Sequence, residues 1–162
     1  MSVESVKNYL KQWKKEDDVL EFSVSSATVE LAAEAVGVIP AKIAKTLSFL
    51  LKDGIHCVLV TAAGDAKIDN AKYKQQFGCK AKMLTPEEVV TFTGHPVGGV
   101  CPFDIQNPCV DIYLDISLKR FDFVYPAAGS PNSAVRMTCD ELSACSKAKD
   151  WIDVCKGWQE NN

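Results

Sequence analysis

Two apolar runs, Thr46 to Leu51 and Ile55 to Ala62, flank Lys52-Asp53-Gly54. Asp-Gly in so short a break favours a tight reversal with positive φ, so the pair is expected to form a β-hairpin. This pairing constrains the fold more than any other segment. It places antiparallel strands in the first half of the chain, and the amphipathic segments on either side must pack around them.

Those segments carry their own stop and start signals. Ser2 to Trp13 sets Val6, Tyr9, Leu10 and Trp13 at helical spacing. A charged connector, Lys14 to Asp18, leads into a short strand from Val19 to Phe22. Thr28 to Val36 turns Val29, Ala32, Ala33 and Val36 to one side, with Gly37 as its stop, and Pro40 opens a short helical turn. Gly64-Asp65 ends the second hairpin strand. Asp69 caps a helix reaching Phe77, with Gly78 beyond it. Thr85-Pro86-Glu87-Glu88 joins an N-cap, a first-position proline and a capping-box glutamate, predicting a helix that stops near Phe92. Val110 to Leu114, Phe121 to Tyr125, Ser133 to Met137 and Trp151 to Cys155 read as strands. Thr138-Cys139-Asp140-Glu141 opens another short helix, and Lys156 to Asn162 is expected to fray. Irregular interleaving with a hairpin predicts an α+β fold around a mixed sheet, as one domain over residues 1–162.

The chain has no apolar run near the ~20 residues that span a bilayer. Its first residues lack the basic and apolar regions of a signal peptide, which implies a cytoplasmic protein. The seven cysteines are odd in number and lack a Cys-x-x-Cys pair, so reduced, mostly buried thiols are expected. No ligand pair has zinc spacing, and His56 and His95 are the two imidazoles available; no metal is expected. Charge is uneven. Residues 42–82 hold eight lysines against three aspartates, net +5 in a chain of net −3. Such a stretch suits a phosphate-bearing partner or a set of solvated helix faces.

Three separated segments could carry chemistry. Lys45 precedes an apolar strand, where its ammonium could hold a phosphate or polarise a carbonyl, or stand in water at the strand start. Gly94 to Pro102 packs three glycines and two prolines into nine residues. Gly98 and Gly99 open backbone geometries while Pro96 and Pro102 stiffen the flanks, which makes either a wall of peptide dipoles or a plain turn. Gly129-Ser130-Pro131-Asn132 offers another backbone N–H and the Ser130 hydroxyl, but not the Gly-x-Ser-x-Gly elbow. Cys101 with His95 could be drawn as a thiolate pair, against a buried structural cysteine.

In that order, Ala44-Lys45-Thr46, Gly98-Gly99-x-x-Pro102 and Ala128-Gly129-Ser130 resemble the YbaK/prolyl-tRNA synthetase editing-domain family, with Gly64-Asp65 and Asp69 fitting its strand-exit and helix-start pattern. The likeness runs from about Thr28 to Val154; residues 1–25 match less distinctly. The resemblance implies a mixed, partly barrel-like sheet with surrounding helices. It also implies a free-standing deacylase that hydrolyses the ester on a mischarged tRNA, often tRNA for proline, without a cofactor. Lys45 matches the family's essential lysine, Gly98 and Pro102 its Gly-x-x-x-Pro loop, and Gly129-Ser130 its third loop. No histidine lies between Tyr125 and Met137, where the synthetase-inserted branch tends to carry one.

On this reading Lys45, Gly98, Gly129 and Ser130 serve catalysis, and Gly99, Val100, Cys101, Pro102 and Asn132 bind substrate. The partner is the terminal aminoacyl-adenosine of a mischarged tRNA, with transient contact to a synthetase and no membrane. Val24 and its neighbours are expected to help wall the pocket. Two alternatives share these residues: a binding module without turnover, and a Cys101- or Ser130-dependent hydrolase of small esters.

Overall fold

The computed structural model describes residues 2–161. The expected hairpin is at its centre: β2 (Ile43–Leu50) and β3 (Cys57–Ala63) pair antiparallel with Thr46 opposite Thr61. In the turn the Asp53 carboxylate accepts the N–H groups of Ile55 and His56, and Gly54 takes φ 71°. Every residue of β3 is buried, as befits an inner strand covered on both faces. Cys57 and Leu59 pack with Val110, Ile112, Leu84 and Val89, while Val58, Val60 and Ala62 belong to the larger core.

Around this pair the sheet is mixed, as the helix–strand interleaving predicts. β5 (Val110–Asp115) lies parallel to β3, and β8 (Asp150–Ile152) parallel to β5. On the other side β6 (Tyr125–Pro126) lies parallel to the start of β2, giving the order β6-β2-β3-β5-β8. Two small ribbons flank it: β1 (Val19–Glu21) with β7 (Ser133–Val135), and β4 (Lys67–Ile68) with β9 (Cys155–Lys156).

The helices follow their signals closely. α1 (Val3–Leu10) continues into a 3₁₀ turn to Trp13 and buries Val6 and Leu10. α2 (Val29–Val36) is capped by Thr28 and stopped by a left-handed Gly37. α3 (Asn70–Phe77) is capped by Asp69, α4 (Pro86–Thr93) by the Thr85–Glu88 box, and α5 (Cys139–Ser146) by the Thr138–Glu141 box. No described helix is long and apolar enough to cross a membrane.

Three expectations are corrected. Phe121 to Tyr125 is not one strand. Asp115 accepts the Ser117 N–H and starts a 3₁₀ turn, Ile116–Arg120, so pairing resumes at Val124, opposite Met137. Trp151 to Cys155 divides between β8 and β9, because Val154 N–H turns aside to the Asp115 carboxylate. The segment after Lys156 is held within the described residues: Lys156 pairs with Lys67, and the Trp158 carbonyl accepts from Arg120. Within the charged connector Lys15 is buried between Asp18 and Glu141, at 2.6 and 2.9 Å.

Candidate functional site

β2 is covered unevenly on its outer edge. At its start β6 pairs with Ile43 and Ala44; near its end residues 82–84 take over, with Leu50 N–H donating to Lys82 O (2.8 Å) and Leu84 N–H to Ser48 O (3.1 Å). Between these covers lies a cavity of about 410 Å³, lined from Ala44 to Ser48 along the strand. Its other walls are Ser26 to Val29 and Ala32 of α2 and its approach, Met83 and Val89, Val97, Gly98 and Val100, and Tyr125, Ala127, Ser133 and Ala134. The lining is largely aliphatic, with Ser26, Thr28, Thr46, Ser48 and Ser133 among its residues.

Lys45 lines this cavity and is half-buried. Its ammonium donates to Ala66 O and, at 3.4 Å, to Gly64 O, the turn that follows β3. An ammonium has three donors, and among the described residues these two carbonyls are the acceptors seen for it. Burial lowers the Lys45 pKa from its ordinary value, opposed by the negative groups Asp65 and Glu30 and reinforced by Lys67. The Gly64 turn is packed hard. A Cβ there would meet Pro40 O at 2.1 Å and Val29 Cγ1 at 2.7 Å, so no side chain fits between it and the wall of the cavity.

The two glycine loops meet each other. A Cβ on Gly99 would fall 2.8–2.9 Å from the backbone N, Cα and C of Ser130, and one on Gly98 (φ 89°) 3.0 Å from Ala27 Cβ. Gly98 and Val100 reach the cavity; Gly99, Cys101, Pro102, Gly129, Ser130 and Asn132 do not line it. Gly99 N–H is used by Pro96 O (2.9 Å). Gly129 packs against Ser2 O and Val6 of α1. The Ser130 hydroxyl is engaged with Asn132 Oδ1 (2.9 Å) and Ser133 Oγ (2.7 Å), and Asn132 Nδ2 donates to Phe22 O (3.0 Å). The third loop thus clamps the segment leading to Ser26, which does line the cavity. Pro102 borders a separate, smaller depression near Tyr9 and Lys147. Val24 is exposed outside the cavity, whereas its neighbours Ser26 and Ala27 form part of it.

Cys101 and His95 come together despite the intervening prolines, Sγ to Nε2 at 3.5 Å, both fully buried. They do not form a nucleophile and base. His95 Nε2–H donates to Phe103 O (2.8 Å), and burial lowers its pKa, so that nitrogen has no lone pair for the thiol proton. Burial pushes the Cys101 thiol up to about 12, against the backbone groups of Phe103 and Gly129 that face it. The pair ties the ends of the Gly98 loop and joins it to the Gly129 loop.

Sequence reasoning missed Thr28, Ser48, Tyr125, Ala127 and Ser133 as lining residues. All but Ser48, which lies inside β2, stand at or beside an element boundary, a weak signal that a cap or a strand end explains equally well. Among the described residues no group of three or more His, Cys, Asp or Glu side chains could hold a metal ion.

Comparison with known proteins follows this geometry. Residues 24–145 match the family described as the aminoacyl-tRNA editing domain. The uncharacterised protein YwhH of Bacillus subtilis (strain 168) is 55% identical over 159 residues, 98% of this chain and all of that one. A proline–tRNA ligase of Thermotoga maritima is 34% identical over 95 residues, and the match spans 58% of this chain but 16% of the ligase. Among solved structures, one proposed as a trans-editing enzyme for prolyl-tRNA synthetase superposes with TM-score 0.84 at 31% identity, covering 96% of this chain and 97% of that one. The hypothetical protein APE2540 gives TM-score 0.78 at 28% identity over 91% of this chain and 99% of its own.

Proposed function

Because the chain belongs to the aminoacyl-tRNA editing domain family, we propose that it is a free-standing deacylase that removes a wrongly attached amino acid from tRNA, with tRNA for proline as its substrate. The observation that carries this reading is Lys45, a half-buried cation on the wall of a cavity that Gly98 and Val100 close from the opposite loop.

An aminoacyl ester is already activated, so hydrolysis needs a placed water and stabilisation of charge. Water adds to the ester carbonyl carbon and the carbonyl oxygen becomes an oxyanion. Collapse breaks the bond to the ribose oxygen, which leaves with a proton, releasing amino acid and tRNA. Lys45 supplies positive charge to the oxyanion or to the terminal phosphate, strengthened by the low dielectric of its burial. Ser130 and Cys101, engaged away from the cavity, act by holding the loops. The whole described chain serves as one editing domain, working in the cytoplasm where tRNA is charged and meeting a synthetase transiently. Lysines of residues 42–82 meet tRNA phosphates, so binding weakens as salt rises. Among these lysines, Lys72 also pairs with Asp153 at 2.9 Å.

The test is a panel of tRNA for proline charged with alanine, serine or cysteine. Release of amino acid by the wild-type protein, lost in Lys45→Ala, supports the reading. Tight binding of every charged tRNA without release refutes it in favour of the binding module.

A further inference from the structure

The uncovered stretch of β2 has a second consequence, which rests on the deacylase reading. In a strand, amide and carbonyl groups of alternate residues point to opposite edges. Leu50 N–H and Ser48 O both bond outward to residues 82–84, whereas Leu51 N–H bonds inward to His56 O (2.9 Å) across the hairpin. Even-numbered residues of β2 therefore turn their main chain to the outer edge. Thr46 is the even residue midway between the two covers, and it lines the cavity. Among the described residues no strand lies against it on that side. Its hydroxyl faces the other neighbour, 2.9 Å from the Thr61 hydroxyl.

We infer that the Thr46 main chain is the recognition element for the aminoacyl group itself, pairing with it as one residue of an added strand. In an antiparallel hydrogen-bonded pair, two residues exchange both their N–H···O bonds. An amino acid esterified to ribose keeps the α-nitrogen and the carbonyl oxygen of a strand residue. Its ammonium donates to Thr46 O while its carbonyl oxygen accepts from Thr46 N–H. The second bond strengthens as that oxygen gains charge, so the amide acts as an oxyanion donor beside Lys45. This contact reads what all amino acids share. Discrimination is left to the aliphatic walls, Val29, Ala32, Met83 and Val97.

The test compares Thr46→Pro with Thr61→Val. Proline deletes the N–H, and on an outward-facing edge position it removes no ladder bond. Thr61 does not line the cavity, and valine there deletes only the hydroxyl shared with Thr46. The inference expects Thr61→Val to keep kcat within a few fold of wild type and Thr46→Pro to lose about 10²–10³-fold, the usual cost of one oxyanion donor. Equal rates in the two folded variants overturn it. Should Thr46→Pro not fold, the wild-type protein decides. The Thr46 amide proton shifts downfield when an amide-linked, non-hydrolysable alanyl-adenosine is added, and an unmoved Thr46 amide with shifts at Gly98 and Val100 overturns the inference. A shifted amide in a wild-type protein that hydrolyses no charged tRNA supports this pairing while refuting the deacylase reading, so the two failures are distinct.

Discussion

Gly64→Ala tests whether the seat of the Lys45 ammonium is set by close packing. Gly64 has no left-handed backbone angle, so strain is not the issue; space is. The added Cβ would sit 2.1 Å from Pro40 O and 3.0 Å from Pro40 C, both backbone atoms of the turn (Pro40–Lys42) that leads into β2. Overpacking costs about 1–3 kcal/mol, and a backbone wall that cannot rotate away places this case at the upper end. Reduced freedom of the unfolded chain returns about 0.4–1 kcal/mol. The net loss of about 2 kcal/mol lowers Tm by about 4–8 °C in a chain of this size. Because the displaced carbonyls of Gly64 and Ala66 hold the Lys45 amine, deacylation falls as well, by about 10²-fold if the cation moves by about 1 Å. Gly54→Ala is the control. Gly54 has φ 71° and nothing within 4 Å of its Cβ position, so it loses about 1–2 kcal/mol with kcat unchanged. Thermal melts with single-turnover deacylation read both quantities. A Gly64→Ala protein with wild-type Tm and wild-type rate refutes the packing argument.

Lys45→Met is expected to lose about 10²–10³ in deacylation rate while its circular dichroism spectrum stays that of wild type. Burial lowers the Lys45 pKa, so the advantage over spontaneous hydrolysis fades as pH rises through that lowered value, below 10.5, in a pH–rate profile. In the same window the unfolded chain binds the extra proton, so this group makes stability rise with pH. Glu141 gives a slope of the same sign at acid pH. Despite burial, the Thr138 amide and Lys15 hold its pKa below the usual 4.5, so its contribution is complete above that value and is lost as pH falls through the folded pKa. Glu141→Gln flattens this acid limb in Tm-against-pH measurements. His95→Ala removes a fully buried ring and leaves Phe103 O without its donor, costing about 2–4 kcal/mol in urea unfolding, and His95→Gln recovers part of it.

Much of the fold was legible because its signals are local. Thr28, Asp69, Thr85 and Thr138 cap helices through bonds within three residues, and Asp53-Gly54 sets the hairpin within its own turn. The misread stretches depend on distant partners. Phe121 to Tyr125 looks like a strand by composition, yet Asp115 and the Arg120–Asp65 pair bend its approach. The site divides along the same line. Lys45, Gly98 and Val100 stood out as a cation and an opened backbone and do meet at the cavity, whereas Gly129 and Ser130 stood out for the same chemical reasons and lie outside its lining.

By itself, then, the sequence determined the helices, the central hairpin, the family likeness and the three segments worth attention, since caps, turns and motifs act over a few residues. Tertiary structure alone decided which backbone groups remain uncovered. That depends on where β6 and residues 82–84 happen to stop along β2, leaving Thr46 between them, and no local pattern encodes the end of a neighbour 40 or 80 residues away.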